Sequence, residues 1–88
     1  IKESAPFTRK EFQIFLEKRN IQTRVVFTGN ILRQPMCKNI SKRVLEEGYP
    51  NADRVMARGV LLPLHHGMTE SMFSRFHATV HEFIAQYD

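Results

Sequence analysis

Apolar and polar residues alternate with a helical period in two long segments of the chain. In the first segment the apolar positions are Phe12, Phe15 and Leu16. Thr8 and Glu11 have the spacing of a capping box, in which each side chain bonds the backbone N–H of the other residue. The pattern predicts a helix over about Arg9–Arg19, and Asn20 is a suitable residue to end it.

The second segment lies near the carboxyl end and predicts the longest helix of the chain. Its apolar positions are Met72, Phe73, Phe76, Val80, Phe83, Ile84 and Tyr87. Thr69 is the predicted N-cap of this helix. A shorter helix is predicted between the two, because Pro50 suits a first helical turn and Gly59 suits a helix end.

Two short apolar runs have the character of strands. Val25–Phe27 is rich in β-formers and precedes a turn at Gly29, whereas Val60–Leu64 is continuously apolar. Pro63 has no N–H to donate, so the second run should end there or lie at a sheet edge. With a strand end expected in residues 1–5, the predicted fold class is α+β, a small sheet of two or three strands covered by helices.

Composition narrows the class of protein. With 88 residues, of which 42% are apolar, the chain is predicted to be one small globular domain. Cys37 is the single cysteine, which excludes an internal disulfide and favours a reducing, cytoplasmic location. No apolar run approaches the roughly 20 residues of a membrane span, and no signal-peptide pattern is present. Because the chain starts at Ile1, we expect it to be a piece of a longer protein.

Charge is more informative locally than in total. The net charge is +4, and no Asp or Glu occurs between Lys18 and Arg43. This stretch predicts an anionic ligand, although its helix-end and loop cations have an equally simple interpretation as solvated charges. Arginine and amide side chains beside a short strand and its loop suit forked bonding to phosphate or sugar oxygens. The candidate binding residues are Arg24, Asn30, Arg33 and Gln34.

Other kinds of site are disfavoured. His77 and His81 have the spacing of paired metal ligands on a helix, but no third ligand accompanies them, so we predict no metal. Cys37 has no histidine nearby in sequence to activate it as a nucleophile. Nucleic-acid binding is disfavoured too, because Phe27 is the single aromatic residue within the basic stretch.

One segment resembles a motif of a known enzyme group. It reads Arg24-Val25-Val26-Phe27-Thr28-Gly29-Asn30-Ile31-Leu32-Arg33-Gln34-Pro35. After Thr23 it is similar to the T-R-x-x-F-x-G-N-x-x-R-Q-P segment of the sugar-nucleotide 3-dehydratases, which are pyridoxamine-phosphate enzymes of the DegT/DnrJ/EryC1/StrS aminotransferase family. The run Leu61-Leu62-Pro63-Leu64 before the last helix is similar to the closing segment of the wider family.

The resemblance implies that residues 1–88 are a single C-terminal small domain of the aspartate-aminotransferase type. It implies a large domain outside this chain that binds pyridoxal or pyridoxamine phosphate, and a homodimeric parent. No residue here is then catalytic or cofactor-binding. The small domain would help to close the site during C-3 deoxygenation of a 4-keto-6-deoxy sugar nucleotide, and its four candidate residues would contact that substrate.

Two further possibilities remain open within the family. Met36-Cys37 stands where an aromatic pair is common in the dehydratases, which leaves a sugar-nucleotide aminotransferase as an alternative. An iron–sulfur-dependent dehydratase is also left open, because its cluster cysteines would lie upstream of this chain. From another class, a stand-alone basic module that binds nucleic acid or protein is the remaining alternative.

Overall fold

Three α-helices and two short 3-10 turns make up the regular structure in a computed structural model that describes residues 1–88. The helices are α1 (Arg9–Glu17), α2 (Pro50–Arg58) and α3 (Glu70–Ala85). The 3-10 turns cover Ile31–Arg33 and Pro35–Cys37. All three predicted helices are therefore confirmed, in the predicted order.

The ends of α1 follow from local chemistry. The Glu11 N–H donates to the Thr8 hydroxyl at 3.2 Å, and the Thr8 N–H donates to the Glu11 carboxylate at 2.7 Å, which confirms the capping box. Asn20 has a left-handed backbone with φ of +59°, and the Ile21 N–H then donates to the Leu16 carbonyl at 3.0 Å. This is the bonding of a Schellman motif. Asn20 thus ends the helical path as predicted, although α1 itself stops at Glu17.

The N-cap of α3 and the C-terminal end of α2 are also as predicted. Thr69 caps α3 by accepting the Met72 N–H at 3.4 Å, and Gly59 is the C-cap of α2. α3 ends at Ala85, so Tyr87 lies beyond the helix. The ring of Tyr87 nevertheless packs on Phe83, with 5.3 Å between ring centroids.

The predicted sheet is wrong. The two apolar runs meet in a single antiparallel bridge between Arg24 and Leu61, and no strand forms elsewhere, including residues 1–5. Pairing stops at once because Phe27 has a φ of +44° and Pro63 has no N–H to donate. Neither run buries a face, since Val25 and Leu61 are both exposed. A two-stranded ribbon without a buried face is not stable, so these residues remain irregular.

The core lies between α1 and α3. Its buried members are Phe12, Leu16, Ile21 and Phe83. Aromatic rings dominate the packing, because Phe83 contacts Phe12 and Phe15 at centroid distances of 5.2 and 5.1 Å. We call this part, residues 1–22 and 60–88, the helical unit.

The remaining part, residues 23–59, is the loop unit and is organised differently. Its two buried residues, Asn30 and Cys37, do not form an apolar cluster with one another or with the core. The radius of gyration of the whole chain is 16.6 Å, whereas a compact domain of this length has about 12 Å. The chain is therefore extended, with one core at one side. None of the three helices has the length and hydropathy needed to cross a bilayer.

Candidate ligand-binding loop

The candidate binding residues lie on an irregular segment, Arg24–Pro35, which we call the site loop. At its start Arg24 exchanges two backbone hydrogen bonds with Leu61, of 3.0 and 2.7 Å. Phe27 and Gly29 then take left-handed backbone angles, with φ of +44° and +68°, and the Gly29 N–H donates to the Val26 carbonyl. The chain reverses its direction here and enters the first 3-10 turn.

The site loop is docked against α2 at Gly29. A Cβ atom built on Gly29 would lie 2.6 Å from the Cα of Met56, so no other residue fits without displacing the helix. Gly59 makes a similar close approach, because a Cβ there would lie 2.8 Å from a methyl group of Val26. Gly29 thus lets the site loop approach the backbone of α2, and Gly59 leaves room for the Val26 side chain.

Arg9 connects this assembly to the helical unit. Its guanidinium donates to the carbonyls of Met56 and Gly59, at 2.6 and 3.3 Å. These carbonyls lie at the C-terminal end of α2, where the helix leaves carbonyls unpaired and where a cation is electrostatically favoured. The orientation of α2, and with it that of the site loop, is therefore set from α1.

Asn30, Arg33 and Asp53 form the polar centre of the site loop. The Arg33 Nε donates to Asp53 Oδ1 at 2.5 Å and its Nη2 donates to Oδ2 at 2.8 Å, so the guanidinium and the carboxylate meet as a fork. The Asn30 amide donates to the same carboxylate at 2.9 Å, and its oxygen accepts the Leu32 N–H at 3.0 Å. Asn30 is buried, whereas the Arg33 side chain is 62% exposed.

These contacts shift both titrating groups. The hydrogen bond from Arg33, followed by that from Asn30, lowers the pKa of Asp53 to about 2. The same pair raises the pKa of Arg33 above its ordinary value. Both groups therefore carry full charge at neutral pH, and the pair persists across the pH range in which proteins normally work.

The other two candidate residues are placed apart from this centre. The Arg24 side chain is exposed and makes no hydrogen bond, while its backbone forms the bridge to Leu61. The Gln34 amide donates to the Thr28 carbonyl at 3.3 Å and closes the site loop on itself. The structure thus brings Asn30 and Arg33 together, whereas Gln34 bonds within the site loop and Arg24 lies at its start.

Asp53 is the residue that the sequence analysis did not single out. It lies in the first turn of α2, 20 positions away from Arg33 in sequence. The available signal was indirect: an exposed arginine prefers a carboxylate partner, and none occurs between Lys18 and Arg43. Which of the carboxylates outside that stretch would supply the partner depends on the docking of α2, and that cannot be read from spacing.

Other cations of the basic stretch are engaged or solvated. Arg19 forms an ion pair with Glu82 at 2.7 Å and stacks on the Phe15 ring. The Lys42 ammonium donates to the carbonyls of Cys37 and Ile40. Arg43 is exposed beside the site loop. Arg19 and Lys42 are thus engaged within the chain rather than solvated, whereas the interpretation as a solvated charge fits Arg43.

Two clefts border the site loop. One, of about 200 Å³, lies on the side of Arg9, Gln34 and Met56. The other, of about 320 Å³, lies on the side of Asn30, Arg43 and Tyr49. Neither cleft is lined by a lysine, a histidine or a carboxylate, and no three His, Cys, Asp or Glu residues come together anywhere in the chain. The loop presents cationic and amide donors and no acid–base group.

Sequence comparison identifies the group of proteins to which such a loop belongs. Residues 1–81 match the model of the DegT/DnrJ/EryC1/StrS aminotransferase family. The chain belongs to this family. The resemblance carried by the site loop and by the Leu61–Leu64 segment is thereby confirmed.

The names of two relatives of this chain are more specific than the family name. The chain is 35% identical over 86 residues to a dTDP-4-dehydro-2,6-dideoxy-D-glucose 3-dehydratase of Saccharopolyspora spinosa. This alignment covers 98% of the chain and 18% of that protein. The chain is 36% identical over 69 residues to the lipopolysaccharide biosynthesis protein RfbH of Salmonella typhimurium. This second alignment covers 78% of the chain and 16% of that protein. The chain therefore spans less than a fifth of the length of either relative.

Proposed function

We propose that this chain is the C-terminal small domain of a sugar-nucleotide 3-dehydratase that depends on pyridoxal or pyridoxamine phosphate. The observation that carries the proposal is the 35% identity to a 3-dehydratase over 98% of the chain, which includes the whole site loop. On this proposal the parent enzyme removes the 3-hydroxyl of a 4-keto-6-deoxy sugar nucleotide. The small domain helps to close the site over that substrate.

The charges of the site loop support a substrate with a diphosphate. Arg24 has no partner, and Arg33 has three N–H donors left after its fork with Asp53, because a guanidinium has about five. Bonds to phosphate from such donors are charge-assisted and about twice as strong as neutral ones. Asn30 and Gln34 complete the set of substrate-binding residues, Asn30 through the position it gives to Asp53 and Gln34 through its amide.

Exposed apolar side chains support a further domain or subunit over the loop unit. In the loop unit, Phe27 and Met36 are exposed to 86% and 73% of their surface, and several smaller apolar residues between Ile31 and Leu45 are exposed as well. Isolated soluble domains rarely present so much apolar surface in one region. We infer that the large domain of the same chain covers part of this surface, and that the enzyme is a cytoplasmic homodimer, consistent with the unpaired thiol of Cys37.

The cofactor does not fit the residues of this chain. Pyridoxal phosphate needs an amine for its Schiff base and a partner for its ring nitrogen, and neither cleft at the site loop has a lysine, histidine or carboxylate. When bound, the cofactor supplies an electron sink for the loss of the 3-hydroxyl. We therefore assign it to the large domain and assign no catalytic or cofactor-binding residue here. An iron–sulfur cluster would likewise need cysteines from outside, because Cys37 is a single thiol.

A titration of the full-length enzyme tests the proposal. We expect the cofactor absorbance to change on addition of a 4-keto-6-deoxy nucleoside-diphosphate sugar, and Arg33→Ala to weaken that binding about 10- to 100-fold, as for the loss of a charge-assisted bond. Lys10→Ala removes the same charge from the exposed face of α1 and should leave binding within about twofold. Absence of any spectral response, or equal losses for both variants, would contradict the proposal. Formation of an amino sugar from an amino donor would instead identify the aminotransferase.

A further inference from the structure

The fork between Arg33 and Asp53 divides the guanidinium into two edges. Nε and one hydrogen of Nη2 face the carboxylate, whereas Nη1 and the second hydrogen of Nη2 have no partner. The side chain of Arg33 is 62% exposed and that of Asp53 is 34% exposed, so the carboxylate is on the inner side. The outer edge remains free for a second forked contact.

The carboxylate itself is held from two directions. Asp53 lies in the first turn of α2, and its backbone N–H donates to the Tyr49 carbonyl at 3.1 Å. The Asn30 amide bonds the carboxylate from the site loop, and Asn30 is buried and fixed by its bond to the Leu32 N–H. A buried amide that contacts both the loop backbone and the carboxylate leaves Asp53 little freedom to rotate.

We infer that Asp53 is a positioning residue, which holds the Arg33 guanidinium so that its free edge meets the diphosphate of the sugar nucleotide. This inference rests on the proposed function, because it takes the diphosphate as the ligand of the site loop. Arg33 is the residue in contact with ligand, and Asp53 acts through it. Asn30 supports the carboxylate in turn.

Two opposed effects decide whether loss of the Asp53 carboxylate strengthens or weakens ligand binding. The Asp53 carboxylate repels an anionic ligand, but across a guanidinium, at about 8 Å in water, that repulsion weakens binding only about two- to threefold for each ligand charge, and salt screens it further. Ordering a free arginine side chain costs a factor of roughly 10–30, and the fork with Asp53 removes most of that cost before the ligand arrives. Orientation therefore outweighs repulsion, and loss of the carboxylate should weaken binding.

The state of ionisation supports the same conclusion. Because the bond from Arg33 lowers the pKa of Asp53 to about 2, the carboxylate remains charged at any pH at which the enzyme is assayed. The fork is thus present before the ligand binds. The contribution of Asp53 to affinity should not vary between about pH 5 and 8, because neither Asp53 nor Arg33 titrates in that range.

A double-mutant cycle on the full-length enzyme tests the inference, with nucleoside-diphosphate sugar as the ligand and cofactor absorbance as the readout. We expect Asp53→Asn to raise the Kd about tenfold at both pH 5 and pH 8. In an Arg33→Ala background the same substitution should leave Kd within about twofold, since there is no guanidinium left to orient. If Asp53→Asn does not fold, Asp53→Glu replaces it in the cycle. We expect Asp53→Glu to weaken binding several-fold, and we expect this loss of affinity to disappear in the Arg33→Ala background.

The outcomes separate this inference from the proposed function. An unchanged or tighter Kd for Asp53→Asn overturns it, and so does an equal loss in the presence and absence of Arg33, which would mean that Asp53 acts only on the folding of the loop. In both cases the wild-type enzyme still binds the nucleotide, and the proposed function stands. If the wild-type enzyme binds no sugar nucleotide, both fall together.

Discussion

The helical unit and the loop unit are held together by different forces. In the helical unit, apolar side chains at helical spacing bury Phe12, Leu16, Ile21 and Phe83 in one cluster. In the loop unit, the contacts are a fork of charged groups, a buried amide and the glycine approach to α2. The first kind of contact lowers the free energy of the chain by removing apolar surface from water, whereas the second fixes geometry and leaves apolar surface exposed.

The comparison shows how far each unit is stabilised by its own residues. The helical unit has its own core, so its structure follows from the sequence of these 88 residues. The loop unit exposes 86% of Phe27 and 73% of Met36, and its polar contacts do not compensate for that exposure. On the function proposed above, we expect its final stability to come from a further domain or subunit that packs on this surface.

The largest expected effect is the loss of a core ring. Phe83→Ala should lower the free energy of unfolding by about 3–5 kcal/mol, because Phe83 is 2% exposed and packs against four other rings. Phe27→Ala makes the same truncation in the loop unit and should change it by less than about 0.5 kcal/mol in the 88-residue chain. Urea unfolding followed by far-UV circular dichroism measures both.

The same pair of variants sharpens the comparison in the full-length enzyme. If a further domain or subunit covers the loop unit, Phe27→Ala should become clearly destabilising there, by more than about 1 kcal/mol. Equal costs for Phe27→Ala in the short chain and the full-length enzyme would show that nothing packs on this ring. A large cost in the short chain would contradict the division into two units.

The second effect concerns the backbone approach within the loop unit. Gly29 and Gly48 have φ angles of +68° and +71°, but a Cβ atom would collide with Met56 at Gly29 and meets nothing within 4 Å at Gly48. Gly48→Ala should cost about 1 kcal/mol, for the left-handed backbone alone. Gly29→Ala should cost about 1–3 kcal/mol more, because α2 must move. Thermal unfolding of the two variants gives the difference, and equal melting temperatures would disprove the docking of the site loop on α2.

The three helices could be predicted from the sequence, whereas the structure of the segments between them could not. Thr8, Glu11 and Asn20 define α1 by contacts within a few residues, and such local contacts are readable from spacing. The sheet was wrongly predicted because Val25 and Leu61 have strand propensity without a layer to cover them. Strand propensity reflects how well a side chain fits a half-buried sheet surface, and these residues do not provide such a surface.

The candidate site shows the same limit. Asn30, Arg33 and Gln34 were identified from their residue types and from their place on a loop, and the structure joins Asn30 and Arg33 at one carboxylate. The carboxylate is Asp53, and its role depends on how α2 docks through Gly29. Tertiary docking of this kind has no sequence period, so spacing does not predict it.

The third effect is the acid titration of the polar centre. With the pKa of Asp53 lowered to about 2 by Arg33, the ionised carboxylate stabilises the loop unit at any pH above its ordinary value near 4. That stabilisation decreases as the pH falls from about 4 and is lost below about 2. The carboxyl chemical shift of Asp53, followed by NMR, should titrate near pH 2, and Arg33→Met should return the midpoint toward 3.8. An unchanged midpoint in Arg33→Met would show that the fork does not form in solution.

The smallest effect is expected at the one ion pair of the helical unit. Arg19 and Glu82 meet at 2.7 Å with side chains that are 35% and 58% exposed, and Arg19 also stacks on Phe15 at 3.5 Å from its ring centroid. Glu82→Gln should therefore cost at most about 0.2–1 kcal/mol, because exposed pairs gain little from charge, and raising the salt concentration should shrink that cost further. Urea unfolding of wild type and variant at low and high salt measures it. A cost as large as that of Phe83→Ala would mean that charge rather than ring packing holds α1 to α3. The helical unit would then not be held together mainly by its apolar core, and the contrast between the two units would be lost.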